Sequence, residues 1–167
     1  KEENGDREGI AASLGNIGLI YYIQGDFARA LEYYQHCLKI EEAIGNRAAL
    51  SATLSNIGSI YYHKGDNARA LEYYQHCLKI QEEFGDRSGV AATLSNIGSI
   101  YSDKGDNALA LEYHQRSLKI EEAIGNRAGV AFTLSNIGFL YLKLGKLQTA
   151  RTYAQQGLKI AQEVGYL

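Results

Sequence analysis

At 167 residues, with 46% hydrophobic and 22% charged side chains, the chain is long enough for one domain with a sizeable core and too apolar for a disordered segment. Its 17 basic and 19 acidic residues leave a net charge of −2, which argues against wrapping nucleic acid or lying on an anionic membrane. No apolar run approaches the roughly 20 residues of a membrane span, and the opening KEENGDREG lacks a secretory signature, so a cytoplasmic location is expected.

Taken in order, the chain repeats itself every 40 residues: GDREGIAASLGNIG begins at Gly5, GNRAALSATLSNIG at Gly45, GDRSGVAATLSNIG at Gly85 and GNRAGVAFTLSNIG at Gly125. A second block keeps the same step, from QGDFARALEYYQHCLKI at Gln24 to LGKLQTARTYAQQGLKI at Leu144. Residues 1–5 align with QEEFG before Gly85 and read as the tail of a preceding second helix, as if cut from a longer array. Four repeats follow, at about 6–45, 46–85, 86–125 and 126–165, within one domain spanning 1–167.

Each repeat contains two helices. Leu54, Ile57 and Tyr61 recur at i, i+3, i+7, and Ala70, Tyr74 and Leu78 at i, i+4, i+8. Asn46, Asp86 and Asn126 stand where first helices need an N-cap, and Asp66 and Asp106 do so for second helices. Gly45, Gly65, Gly85, Gly105, Gly125 and Gly145 supply the left-handed stops. In the last helix, Lys146, Gln148, Thr149, Arg151, Thr152, Gln155 and Gln156 break the pattern, as a polar outer cap would.

The spacing of Leu54, Ile57, Gly58, Tyr61, Ala70 and Tyr74 resembles the tetratricopeptide repeat, and the same pattern returns in each copy. The closing proline is absent and the period is 40 rather than about 34, which is similar to the long repeats of Pins/LGN-type scaffolds and bacterial regulators. The resemblance implies an all-α fold: an α-solenoid, a right-handed superhelix of four hairpins whose first helices line a concave groove. Gly58 and Ala70 are expected at the helix crossing, with Cys37 and Cys77 in another small-residue slot that Ser117 and Gly157 fill in later repeats. Corresponding positions of stacked hairpins lie on the order of 10 Å apart, too far for a disulfide between the two cysteines.

If Leu54, Ile57 and Tyr61 face inward, the opposite stripe carries the candidate partner-binding residues. Asn16, Asn56, Asn96 and Asn136 recur there although asparagine is a mediocre helix former, and a side-chain amide complements a peptide unit. The bland alternatives are a duplicated neutral residue or a bond to the neighbouring hairpin. Around this row the side chains vary, with Leu19, Ser59, Ser99 and Phe139 at one level and Tyr22 and Tyr62 a turn later, which suggests apolar anchors flanking a polar middle. Arg7, Arg47, Arg87 and Arg127 occupy helix N-termini, where a cation is unfavourable; a carboxylate of a preceding second helix, such as Glu42 or Glu82, is the expected partner, and an acidic ligand the alternative.

No catalytic constellation, cofactor motif or metal-ligand spacing is present. Glu41 and Glu42 are expected on a solvated helix end. The sequence therefore reads as a non-enzymatic scaffold that binds a protein or peptide in its groove, without nucleic acid, membrane, cofactor or metal. A peptide-sensing domain that controls an effector elsewhere, or an array that self-associates through exposed terminal helices, are the alternatives.

Overall fold

The computed structural model describes residues 2–165, with side chains from residue 6 onward. Among these residues the chain forms eight helices and no strand: α1 (Glu2–Ile23), α2 (Phe27–Ile44), α3 (Arg47–His63), α4 (Asn67–Phe84), α5 (Arg87–Asp103), α6 (Asn107–Ile124), α7 (Arg127–Lys143) and α8 (Leu147–Glu163). They pair in order as hairpins α1–α2, α3–α4, α5–α6 and α7–α8. The chain divides into two compact units, Lys1–Phe84 and Gly85–Leu167, each of two hairpins. Within the first, α2 packs on α3; within the second, α6 packs on α7.

Helix boundaries follow from local chemistry. The carboxylate of Asp26 accepts from the Arg29 N–H at 3.1 Å, Asn46 caps Ala49 at 3.1 Å and Asp86 caps Gly89 at 2.9 Å. Asp66, Asp106 and Asn126 make the same bond. Lys146 opens α8 with no side-chain cap, which forgoes about 1 kcal/mol of capping. Gly45 ends α2 at φ 73°, so that its own N–H and that of Asn46 return to Glu42 and Glu41 carbonyls, a geometry a side chain would strain. One junction departs from expectation: α1 runs unbroken through Gly5 and Asp6, and no helix end falls there as it does at Gly45. The side chains of residues 1–5 lie outside those described.

The core of each hairpin is built on a glycine facing a ring. A Cβ on Gly58 would sit 3.0 Å from the Tyr74 ring, and Gly18 and Gly98 face Tyr34 and His114 in the same way. Ile57, Ile60, Leu54 and Ala70 are fully buried around this contact. Burial of each such isoleucine contributes about 2 kcal/mol before entropy is counted. In the fourth hairpin Ala154 replaces the ring, and Gly138 packs directly on α8 backbone, where a Cβ would stand 3.2 Å from the Ala150 carbonyl oxygen. A second slot holds a small residue against the first helix: Cys37 Sγ donates to the Ala11 carbonyl at 3.2 Å, Cys77 to Ser51 at 3.1 Å, and the Ser117 hydroxyl to Ala91 at 2.8 Å. Both thiols are buried and neither forms a disulfide. Burial and the neighbouring Glu41 carboxylate push the Cys37 thiol up to about 11.

Candidate functional site

The outward stripe of the first helices is distinct in each unit. In the first unit Asn16 and Asn56 are both exposed. Leu19 is 44% exposed, whereas Ser59 is half-buried, its hydroxyl 2.9 Å from Tyr74 Oη and donating to the Ser55 carbonyl at 3.0 Å. Ser59 therefore serves the hairpin as well as the surface. The corresponding residue in the first repeat, Leu19, has no hydroxyl, and the buried Tyr34 Oη has no partner, while burial raises its pKa to about 12. Half-buried Tyr22 and Tyr62 meet at His63: its ring lies 5.8 Å from Tyr22, 5.9 Å from Tyr62 and stacks on Phe27 at 5.9 Å. These aromatics form one cluster at the end of the stripe.

In the second unit the asparagines of the stripe are less exposed. Asn96 and Asn136 are half-buried, and Asn136 Nδ2 donates to Ser95 Oγ at 3.5 Å, a long bond between adjacent hairpins. The first unit offers no such acceptor, because Gly15 stands where Ser95 does. Ser99 is half-buried and donates to the Ser95 carbonyl at 3.1 Å. Phe139 and Leu142 are 55% and 51% exposed. Lys143 lies over the Phe139 ring at 5.0 Å and donates to the Ser102 hydroxyl at 3.0 Å.

Two charge expectations are corrected. Arg47 pairs with Glu83 and Arg127 with Glu163, so the carboxylate comes from the second helix of the arginine's own hairpin rather than from a preceding one. In the first and third repeats Ala43 and Ala123 stand where Glu83 and Glu163 do, so this particular pair is not repeated there. Glu41 and Glu121 are buried at the junction with the next hairpin, 4% and 5% exposed, while Glu42 and Glu122 face solvent. Glu41 Oε1 accepts from the Cys37 thiol at 3.1 Å and its Oε2 has no partner. Burial raises the Glu121 pKa, and its carboxyl lies directly over Gly129, where a side chain would collide with it.

The sequence reading missed a groove between α7 and α8. One part, about 510 Å³, is lined by Ala131, Phe132, Ala154, Gly157, Leu158 and Ala161 among others, and a second, about 390 Å³, by Phe139, Leu142, Leu147 and Ala154. Of the polar residues that break the pattern at α8, Thr149 is half-buried and the others are exposed; the groove beside them is apolar, with Leu147 of α8 66% and Phe132 of α7 62% exposed. The signal was available: at the three inward positions the earlier repeats carry Tyr or His, Cys or Ser, and Glu or Gln, whereas the fourth carries Ala154, Gly157 and Ala161.

A tetratricopeptide repeat profile matches residues 9–83, 49–123 and 89–163, in steps of 40 that follow the sequence period. The chain belongs to the tetratricopeptide repeat family. Solved structures resemble these tetratricopeptide repeats closely in fold and distantly in sequence. BtubC from P. vanneervenii is 23% identical at a TM-score of 0.84, covering 96% of this chain and 67% of that one. Aspartyl phosphate phosphatase F from Bacillus subtilis is 18% identical at 0.88, covering 93% and 41%. The apo form of RapI is 20% identical at 0.85, covering 95% and 44%. The chain thus spans less than half the length of the last two, and these identities establish the helical-repeat solenoid fold alone. No match was found among curated protein sequences. Among the described residues no helix is long and apolar enough to cross a membrane, and no group of three His, Cys, Asp or Glu side chains could hold a metal ion.

Proposed function

We propose that this chain is a protein-interaction scaffold whose first helices hold an extended segment of a partner protein, binding rather than catalysing. Membership of a repeat family supports the general role. The observation that carries the specific reading is the pair Asn16 and Asn56, both exposed at corresponding places on α1 and α3. An exposed amide offers a donor and an acceptor to a peptide backbone, and the neighbouring Leu19 and the Tyr22–Tyr62–His63 cluster offer apolar contact for a side chain. Asn136 is engaged by Ser95, so in the second unit Asn96 carries the amide role and Phe139 the apolar one.

The test is a peptide selected from a displayed library on the wild-type chain, then titrated by fluorescence polarisation. Replacing Asn56 and Asn96 together by Ala is expected to weaken binding by about 30-fold or more, since each loss leaves a peptide group unpaired at about 1 to 3 kcal/mol. Replacing Glu72 and Glu112 on the second helices by Ala is expected to leave affinity unchanged. The reading fails if the asparagine pair is neutral and the glutamate pair is damaging.

A further inference from the structure

The ring that fills a hairpin crossing carries a polar atom, and in the second and third repeats the first helix of the same hairpin supplies its partner. Tyr74 Oη lies 2.9 Å from Ser59 Oγ, and His114 Nδ1 lies 3.4 Å from Ser95 Oγ. Because Ser59 gives its own proton to the Ser55 carbonyl, Tyr74 is the donor of its pair. Tyr34 stands in the same place in the first repeat, 1% exposed, and its Oη has no partner among the described residues. The setting is otherwise alike: a Cβ on Gly18 would sit 2.9 Å from the Tyr34 ring, against 3.0 Å for Gly58 and Tyr74. Leu19 takes the place of Ser59, so a side chain with neither donor nor acceptor borders the phenol. A hydroxyl left unpaired in the interior destabilises a fold and calls for a reason. Leu19 belongs to the outward row and is 44% exposed, and Phe139, which has hairpins before it in the chain, is 55% exposed at the corresponding place. That exposure is therefore a property of the row and not of where α1 lies in the chain.

We propose that Tyr34 Oη is a hydrogen-bond donor kept for the bound segment: Leu19 turns aside, and the phenol donates to the carboxamide oxygen of an Asn or Gln side chain of the partner. This rests on the groove reading above and adds to it the chemistry of one subsite. An exposed leucine changes rotamer without moving the backbone, so the phenol is uncovered at small cost. Oη lies beneath the row, so the acceptor comes from a side chain and not from the main chain of an extended segment. Burial, with a smaller contribution from the neighbouring Tyr22, pushes the phenol up to about 12, so it keeps its proton and donates. Leu19 and Tyr22 carry no charge, and an ionised carboxylate between them would lose its hydration without a counter-charge. A carboxamide avoids that loss, and its N–H groups find an acceptor in exposed Asn16, which shares a face of α1 with Leu19 at i, i+3. The second repeat has no such subsite, since Ser59 already takes the Tyr74 hydroxyl.

Fluorescence polarisation with peptides selected on the wild-type chain tests this. The peptides are expected to carry Asn or Gln at one fixed position. Tyr34→Phe is expected to weaken their binding about 3- to 10-fold while the thermal melt stays level or rises, and Tyr74→Phe to leave affinity unchanged. Replacing the peptide's Asn or Gln by Ala is expected to weaken binding to the wild type by a similar factor and to make no further difference with Tyr34→Phe. Leu19→Ser gives the phenol the partner that Tyr74 has, and is expected to raise the melt and weaken binding. If Tyr34→Phe binds like the wild type while the Asn56 and Asn96 replacements weaken binding, this subsite is lost and the groove reading stands. If the asparagine pair is neutral as well, both are lost. Additive losses from Tyr34→Phe and the peptide's Ala also overturn the proposal, because the two groups then do not touch.

Discussion

His114 occupies the ring position that Tyr34 and Tyr74 hold in the first two repeats, and it is 2% exposed with Nδ1 3.4 Å from the Ser95 hydroxyl. Burial lowers its pKa from 6.5 to about 4, because the protonated imidazole loses its hydration there. The folded value lies below the unfolded one, so the stability tied to the neutral ring is complete above pH 6.5 and is lost as pH falls toward 4. Linkage gives a loss of about 1 kcal/mol at pH 5.5, rising to about 2 to 3 kcal/mol at pH 4.5 and below. Glu121 works in the opposite direction, since its raised pKa favours the folded state as pH falls, and the wild-type profile alone mixes the two. His114→Tyr separates them. Tyr74 rests on Gly58 at the same 3.0 Å that His114 keeps from Gly98, and Ser99 stands where Ser59 meets the Tyr74 hydroxyl. Urea melts followed by circular dichroism at pH 7.5, 6.5, 5.5 and 4.5 would give both stabilities. The gap between variant and wild type is expected to widen by those amounts as pH falls. A gap that stays constant from pH 7.5 to 4.5 would refute the argument, since a buried neutral imidazole must be protonated at a cost.

Two further substitutions probe the hairpin core. Gly58→Leu places its Cβ 3.0 Å from the Tyr74 ring and is expected to cost about 1 to 3 kcal/mol or more in a urea melt, and a neutral result would mean the crossing is looser than described. Tyr74→Phe removes the hydroxyl that meets Ser59 Oγ, while Ser59 keeps its bond to the Ser55 carbonyl, and is expected to cost about 1 kcal/mol, whereas Tyr34→Phe removes a buried hydroxyl that has no partner and is expected to be neutral or stabilising by a similar amount. Equal losses in the two tyrosine variants would contradict the Leu19 and Ser59 assignments.

The eight helices, their glycine stops and most of their caps were legible because each depends on residues within a few positions of one another, and the copies repeat each signal along the chain. What was not legible depends on which neighbour a side chain reaches. Arg47 lies near carboxylates of the preceding and following helices in any solenoid, and sequence spacing does not say that Glu83 is the one it meets. The adjacent pair Glu41 and Glu42 looks solvated as a unit, yet a step of about 100° on a helix puts one in the junction and the other in water. Ser59 reads as an outer-face residue, and it does border that face, but its reach to Tyr74 depends on the tilt between α3 and α4. The outward row of first helices was readable as a stripe, and its exposure was not: Asn16 and Asn56 are exposed, Asn96 and Asn136 half-buried.

The helix stops bear on how quickly the chain can be rebuilt. Gly25, Gly45, Gly65, Gly85, Gly105, Gly125 and Gly145 each hold a positive φ between successive helices, and the sequence contains no proline. Glycine enters that conformation by rotation about single bonds, in a time short beside the tens of seconds a prolyl peptide needs to isomerise. The contacts that follow are mostly between helices adjacent in sequence, so little loop entropy is spent in bringing them together. A hairpin pulled off its neighbour can therefore return at the speed of helix docking, with no wrong peptide isomer to hold it open.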